Sequence, residues 1–253
     1  MTKTAVLLAA GYGSRISELT TLPKCLLSVG GSTILERHLT FFQSCGIEEV
    51  KLVVGYKKDH ILDHIKPFHS QLNISICENI DFKEKGNTYS MYLGLKHVNT
   101  DVIILDADLV YSEEIMSRYL QDSASNSLIV GPGSEKDVES TKVLIDSQKQ
   151  VRLLVDKREI TSEELNQYAF MGEAMGMIRV SKASLPDVMQ TMDTFFKTDI
   201  HLGANWELFI NIYLQSNGLS AYFEPSKQWV EIDTRQDYQA AEILFKSVTQ
   251  DKS

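Results

Sequence analysis

The sequence predicts an α/β fold in which helices flank a mixed, mainly parallel central sheet. Short apolar runs bounded by turn residues have the length and composition of buried parallel strands, and they occupy residues 5–8, 50–54, 74–77 and 102–105. Segments with apolar residues at helical spacing alternate with these runs, at residues 33–46, 58–65 and 86–98. Later strand-like runs follow one another without helices, which predicts antiparallel additions to the sheet, at residues 128–130, 142–145 and 151–155.

The last third of the chain is predicted to contain both strands and helices. A strand is expected at residues 171–180, followed by a helix at residues 183–192 that Ser181 caps. Residues 194–204 have poor periodicity and are predicted to form a loop, a candidate lid. Helical spacing resumes at Asn205. The chain then closes with strands at residues 221–223 and 229–232 and a helix at residues 238–248.

The composition limits the classes of partner and compartment. The chain has 253 residues, 43% of them hydrophobic, which is enough for a sizeable core. Its 25 basic and 34 acidic side chains give a net charge of −9, which argues against nucleic acid and anionic membranes as partners. No apolar run reaches the ~18 residues of a membrane span, and we expect a cytoplasmic protein. Its oligomeric state is left open.

A glycine-rich turn directly after the first strand is predicted to bind phosphate. Gly11 and Gly13 allow positive φ angles and a close approach of phosphate to backbone N–H groups. Arg15 and Lys24 supply cations next to this turn. A Walker loop is excluded because no Lys-Ser/Thr follows, and a dinucleotide fingerprint is excluded because Ile16 stands where its third glycine would be.

The pattern Ala-Ala-Gly-x-Gly-Ser-Arg with a downstream Pro-Lys resembles the nucleotidyltransferases that act on sugar phosphates and small-alcohol phosphates. Within them the chain is similar to the phosphocholine and phosphonate cytidylyltransferase branch. The resemblance implies a Rossmann-like fold of the nucleotide-diphospho-sugar transferase type. It also implies transfer of CMP from CTP to a small phosphate or phosphonate, with release of pyrophosphate. Arg15 and Lys24 are then the catalytic cations.

The same resemblance implies a nucleotide site formed by the turn, a helix start and a strand end. Asn87 and Ser90 match the family's Asn-x-x-Ser element, and Asp106 is placed near the ribose or behind the metal. As isolated features, these residues are equally typical of helix caps and turns. The nucleotide-binding residues predicted in this way are Leu8, Ala9, Ala10, Gly11, Gly13, Ser14, Asn87, Ser90 and Asp106.

Two carboxylates are predicted to bind Mg²⁺, the expected cofactor. Asp108 and Asp233 each follow a buried strand, where ligands of open α/β sheets bind, and Mg²⁺ prefers one or two carboxylates plus phosphate oxygens. Asp106 and Asp108 would converge if the strand continued between them, and two like charges need a cation. For Asp233 alone, a solvated turn or a helix cap is an equally good interpretation.

The acceptor site is predicted from the second half of the chain. Gly172-Glu173-x-x-Gly176-Met177 and Asn205-Trp206-Glu207 resemble elements of the cytidylyltransferase branch, and Lys157 matches a lysine near the acceptor phosphate. Carboxylates and aromatic faces suit an amino-alcohol or choline group, although each tryptophan singly is more typical of a core anchor. The predicted acceptor-binding residues are Lys142, Lys157, Glu173, Asn205, Trp206, Glu207 and Trp229.

These assignments predict one domain over residues 1–248, followed by a tail at residues 249–253. Residues 1–125 form the predicted nucleotide-binding half and residues 126–248 the acceptor-binding half. Two other functions remain open. One is a sugar-1-phosphate nucleotidyltransferase that uses another NTP, and the other is a non-catalytic nucleotide-binding regulatory domain.

Overall fold

The computed structural model of the protein describes residues 2–250, with side chains through residue 245. The strands are β1 Thr4–Ala9, β2 Ser28–Val29, β3 Ser32–Thr33, β4 Glu49–Val54, β5 Asn73–Glu78, β6 Val102–Asp106, β7 Leu109–Tyr111, β8 Ser127–Gly131, β9 Thr141–Ile145, β10 Val151–Asp156, β11 Ala169–Val180, β12 Ser220–Phe223 and β13 Trp229–Glu231. The helices are α1 Ile34–Ser44, α2 Lys58–Ile65, α3 Asn87–Leu95, α4 Glu113–Gln121, α5 Ser162–Gln167, α6 Leu185–Phe195, α7 Trp206–Tyr213 and α8 Arg235–Gln250.

The central sheet is mixed, and its strands from the N-terminal half of the chain run parallel. The strand order is β10-β9-β11-β6-β1-β4-β5, with β8 paired to β11 and β12 paired to β8. Strands β6, β1, β4 and β5 run parallel, while β11 is antiparallel to β6, β8 and β9. The carboxyl ends of the four parallel strands therefore meet at one edge, and the β9–β10 hairpin continues the sheet on the far side of β11.

Apolar side chains cover both faces of the sheet. In β1, Ala5 and Leu7 pack with α1 on one face, while Val6 and Leu8 pack with α3, α6 and α7 on the other. All six residues of β1 are buried, as expected for a strand with helices on both sides. A smaller cluster packs α8 against Val29 and Ile34. The predicted α/β fold class is confirmed.

The starts of three helices can be read from their caps. Helix α1 begins with a complete capping box of Thr33 and Glu36. The N-cap of α3 is Gly86, so Asn87 is the first residue of that helix, and α6 begins at Leu185 after Ser184 rather than after the predicted Ser181. The sequence patterns missed β7, α4 and α5.

Two further predictions concern the C-terminal tail and membrane-spanning helices. Helix α8 continues through residues 249 and 250, which were predicted as tail, and residues 251–253 lie outside the described part. Among the described helices, none has the length and apolar content needed to cross a membrane. The division of the chain into two functional halves stays a prediction.

Gly94 lets α3 lie directly on the sheet. A Cβ atom at this position would come within 2.4 Å of Val6 Cγ1 and 2.9 Å of Val53 Cγ2. Both valines are buried in strands, so neither can move without disturbing the packed core.

We therefore expect Gly94→Ala to destabilise the protein by about 1–3 kcal/mol. Overpacking costs about that much and outweighs the gain of roughly 1 kcal/mol in helix propensity. Urea unfolding measures the difference. Gly218→Ala is the matched control, since a Cβ at Gly218 meets only Gln150 Oε1 at 3.5 Å. Equal midpoints for the two variants would contradict close packing at Gly94.

Candidate active site

A cleft of about 930 Å³ lies along the edge of the sheet where the parallel strands end. It passes from β5 and β1 through β6 to β11 and β9, with β13 and the start of α7 forming walls. The cleft brings together nearly all the residues predicted from the sequence to form the site. They are Leu8, Ala9, Ala10, Gly11, Gly13, Ser14, Arg15, Lys24, Asn87, Ser90, Asp106, Asp108, Lys157, Glu173, Asn205, Trp206, Glu207, Trp229 and Asp233.

The glycine-rich turn follows β1 into the middle of the cleft. Gly13 has φ 63°, in the left-handed region, whereas Gly11 has no positive φ. The positive φ angle expected at both glycines is therefore present at Gly13 but absent at Gly11. The N–H groups of Gly11, Tyr12 and Gly13 have no hydrogen-bond partner within the described residues. Free N–H groups at a glycine turn are donors suited to phosphate oxygens.

The two predicted cations and the two predicted metal ligands meet beside this turn. Lys24 Nζ lies 2.6 Å from Asp108 Oδ2 and 2.8 Å from Asp233 Oδ1. Arg15 Nη2 lies 2.7 Å from Asp233 Oδ2. Residues from three separate parts of the chain therefore form one ion-pair network.

Burial and neighbouring charges oppose each other in this network. Burial alone lowers the pKa of Lys24, but the carboxylates of Asp108 and Asp233 raise it above its ordinary value. Burial likewise raises the pKa of Asp233, but Lys24 and Arg15 outweigh it and lower that pKa. The lysine and this aspartate are thus both held in their charged forms.

Three carboxylates in the cleft form a set that could hold a divalent cation. Ligand oxygens of Asp108, Glu231 and Asp233 all lie within 4.8 Å of one another. Asp108 Oδ1 is buried and has no hydrogen-bond partner. A buried oxygen without a hydrogen-bond partner is costly unless a ligand binds it. All three residues offer oxygen ligands, which Mg²⁺ prefers.

Glu231 is the member of this set that sequence reasoning missed. Its side chain is exposed to the cleft. Limited hydration inside the cleft raises its pKa, and the nearby charges of Asp108, Asp106 and Asp233 raise it further. Its position two residues before Asp233, next to the strand predicted at residues 229–232, was the available signal, because residues two apart on an extended segment share a face.

Asp106 lies at the end of β6 behind the metal-binding set. Burial, and after it the charges of Asp108 and Glu207, raises the pKa of Asp106 well above its ordinary value. Trp206 Nε1 donates a hydrogen bond of 3.2 Å to Asp106 Oδ2. Trp206 is only 5% exposed and packs in the core, as its alternative interpretation anticipated.

The end of the cleft next to β5 is largely uncharged. Asn79, Phe82, Asn87 and Ser90 line it, and its charged residue, Lys85, pairs with Asp81 at 2.7 Å. Asn79 is fully buried, and its Nδ2 donates to Ser90 Oγ at 3.0 Å and to the Lys85 carbonyl at 3.3 Å. Its Oδ1 has no partner.

The opposite end of the cleft is acidic. Asp137, Glu139, Glu173 and Glu207 line it together with Lys157. Burial, followed by the charge of Asp137, raises the pKa of Glu173 to about 7. Burial also raises the pKa of Glu207, whose Oε1 accepts a hydrogen bond of 3.2 Å from Thr141 and whose Oε2 is unpaired.

Lys142 was predicted to bind the acceptor, but it does not line the cleft. Its side chain is buried outside the cleft lining, and Nζ donates to the carbonyls of Asp137 at 2.5 Å and Ser140 at 2.8 Å. The lysine therefore ties down the loop before β9. Alternation in β9 explains the difference, because Lys142 and its neighbour Thr141 point to opposite sides and Thr141 faces the cleft.

The sequence has relatives among known proteins. The family model of the MobA-like NTP transferase domain matches residues 5–168. The bifunctional protein GlmU of Methanococcus aeolicus is 28% identical over 156 residues, 60% of this chain and 36% of that protein. The 2-aminoethylphosphonate cytidylyltransferase of Lancefieldella rimae is 28% identical over 236 residues, 91% of this chain and 88% of that protein.

The overall fold has solved counterparts. The CTP:phosphocholine cytidylyltransferase of Streptococcus pneumoniae superposes with a TM-score of 0.77 at 18% identity, covering 96% of this chain and 98% of that chain. At this identity the likeness shows the fold alone. The family match covers more than half of the sequence, and its residues include the glycine turn and both Asp106 and Asp108. The chain therefore belongs to the MobA-like NTP transferase family and is a nucleotidyltransferase.

Proposed function

We propose that the protein transfers CMP from CTP to a small phosphate or phosphonate that carries an ammonium group, and that it requires Mg²⁺. The distribution of charge along the cleft is the observation that carries the proposal. An uncharged end with a buried amide suits a base, a glycine turn with two cations suits the phosphates, and four carboxylates at the far end suit a cationic acceptor.

The proposed reaction needs no protein nucleophile. An oxygen of the acceptor attacks the α-phosphorus of CTP in line, a new P–O bond forms, and the bond to the β-phosphate oxygen breaks to release pyrophosphate. Lys24, Arg15 and the free N–H groups of the turn offset the negative charge on the phosphates. In this structure both cations are paired with carboxylates, so they must exchange those partners for phosphate.

Asp108 and Asp233, with Glu231 beside them, are the residues proposed to hold Mg²⁺. When bound, the metal would supply charge neutralisation of the phosphate oxygens. Lys24 and Arg15, which pair with these carboxylates in the structure, would contact the triphosphate only after leaving them.

Asn79 supports cytosine as the base. Lys85 contributes a carbonyl oxygen, which can only accept hydrogen bonds, so the Asn79 amide must direct Nδ2 toward it. The unpaired Oδ1 is then an acceptor that suits the 4-amino group of cytosine. Uracil has a carbonyl oxygen at that position, and two acceptors facing each other would leave both unpaired.

Glu173 and Glu207 support an ammonium group on the acceptor. Both lie at the acidic end of the cleft, and Glu207 has an unpaired buried oxygen. Lys157 lies at the same end and can offset the charge of the acceptor's phosphate. Trp229 adds one aromatic face, so hydrogen bonds to carboxylates are the main proposed recognition of the ammonium.

The direct test measures pyrophosphate release with each of the four NTPs. The acceptors are 2-aminoethylphosphonate, phosphoethanolamine, phosphocholine and glucose 1-phosphate. We expect release only with CTP and an ammonium-bearing acceptor, and loss of release in EDTA. Asp108→Asn should lower kcat/KM by at least about 100-fold, because the metal loses a charged ligand. Asp59→Asn, an exposed substitution on α2, is the control.

Two other results would replace the proposal. Release with UTP and glucose 1-phosphate would keep the chemistry but identify a sugar-phosphate nucleotidyltransferase. Tight nucleotide binding without release under any condition would identify a regulatory nucleotide-binding domain. Full activity of Asp108→Asn would remove the proposed metal site.

Asn79→Leu should reduce the preference for CTP over UTP by about 10-fold or more. The variant keeps the side-chain size but removes the acceptor for the 4-amino group, and such losses are worth about 1–3 kcal/mol. The ratio of kcat/KM for CTP and UTP is the measurement, since it cancels general effects on activity. An unchanged ratio would show that another group reads the base.

Acceptor use should improve as the pH rises from 6 to 8. Glu173 has a pKa of about 7, so it is mostly protonated at pH 6 and ionised at pH 8, and only the ionised form attracts an ammonium. Glu173→Gln should raise the acceptor KM about 10-fold at pH 8 and much less at pH 6. The acceptor's own titration is the same in both enzymes, so parallel pH profiles of KM would contradict the role of Glu173.

A further inference from the structure

The N-terminus of α3, at the uncharged end of the cleft, is bonded to the segment that leads into α7. Gly86 N donates to the Leu202 carbonyl at 2.9 Å, and Thr88 Oγ1 donates to the Ala204 carbonyl at 2.8 Å. A Cβ on Gly86 would lie 2.4 Å from the Ala204 oxygen, so the contact requires glycine. The start of one helix and the approach to another are therefore in direct backbone contact.

Asn87 adds the bond that reaches α7 itself. Its Oδ1 accepts a hydrogen bond of 3.0 Å from the backbone N–H of Trp206, the first residue of α7. The first N–H groups of a helix have no partner within the helix and need a cap. Asn205 has the extended backbone of an N-cap, but its side chain makes no cap hydrogen bond. Asn87 therefore caps α7 from another helix.

The first turn of α7 contributes two side chains to the lining of the cleft. Trp206 holds Asp106 through its indole N–H at 3.2 Å. Glu207 directs a carboxylate toward the acidic end, with Oε1 on Thr141 and Oε2 unpaired. Any displacement of this turn moves the carboxylate proposed to meet the acceptor's ammonium.

We propose that Asn87 is a positioning residue that sets the place of Glu207 for the acceptor, and that its side-chain oxygen is not a nucleotide contact. The inference rests on the proposed function for the role of Glu207. The sequence alone did not indicate this role for the Asn-x-x-Ser segment. Asn87 lies at the nucleotide end of the cleft, yet its side chain would position a residue at the acceptor end.

The test compares Asn87→Ala with Asn87→Asp. Alanine removes the acceptor of the Trp206 N–H, while aspartate keeps an oxygen there and favours a helix N-terminus. We expect Asn87→Ala to raise the acceptor KM about fivefold, with the KM for CTP changed less than twofold. Asn87→Asp should restore most of the acceptor KM. Thr161→Ala, which removes the exposed cap of α5, controls for the loss of a cap elsewhere.

Hydrogen exchange of a peptide covering the start of α7 gives a second readout that needs no substrate. Asn87→Ala should accelerate exchange at Trp206, and Asn87→Asp should not. Unchanged exchange in Asn87→Ala would overturn the inference even if the wild type uses no acceptor in the panel. A raised KM for CTP with an unchanged acceptor KM would also overturn it, as would failure of Asn87→Asp to rescue acceptor use.

Discussion

Mutual repulsion among the carboxylates at one edge of the sheet is the constraint on which the cleft depends. Asp106, Asp108 and Asp233 lie close enough to Glu231 for their charges to raise its pKa. Lys24 is the largely buried cation that bonds to two of them, and Arg15 bonds to one from the more exposed side. The two cations pair with Asp108 and Asp233, which offsets part of the repulsion among the four carboxylates.

This network also links parts of the chain that are far apart in sequence. Lys24 follows the glycine turn, Asp108 follows β6, and Asp233 lies just before α8. A nucleotidyltransferase must hold two anions and neutralise growing negative charge, and here the neutralising groups are already assembled. Their present partners are carboxylates, so under the proposed function the binding of substrate and metal would exchange one set of ion pairs for another.

Buried polar atoms without partners mark the other parts of the site. Four atoms are buried, unpaired and located on described residues that line the cleft: Asn79 Oδ1, Asp108 Oδ1, Ser140 Oγ and Glu207 Oε2. An unpaired buried polar group is costly, and four of them in one cleft are best explained by ligands that satisfy them. Their order along the cleft follows the order proposed for base, phosphates with metal, and acceptor.

The sequence by itself determined the long strands of the central sheet, the glycine turn and the two aspartates that follow strands. Local patterns suffice for these, because an apolar run has to be buried and residues directly after it emerge at the sheet edge. Only the tertiary structure decided the rest. Carbonyls of the loop before β9 hold the Lys142 ammonium away from the cleft, pairing with β7 places β13 beside the cleft, and Asn87 bonds a helix 119 residues away. Such outcomes depend on register and on contacts between distant segments, which no local pattern contains.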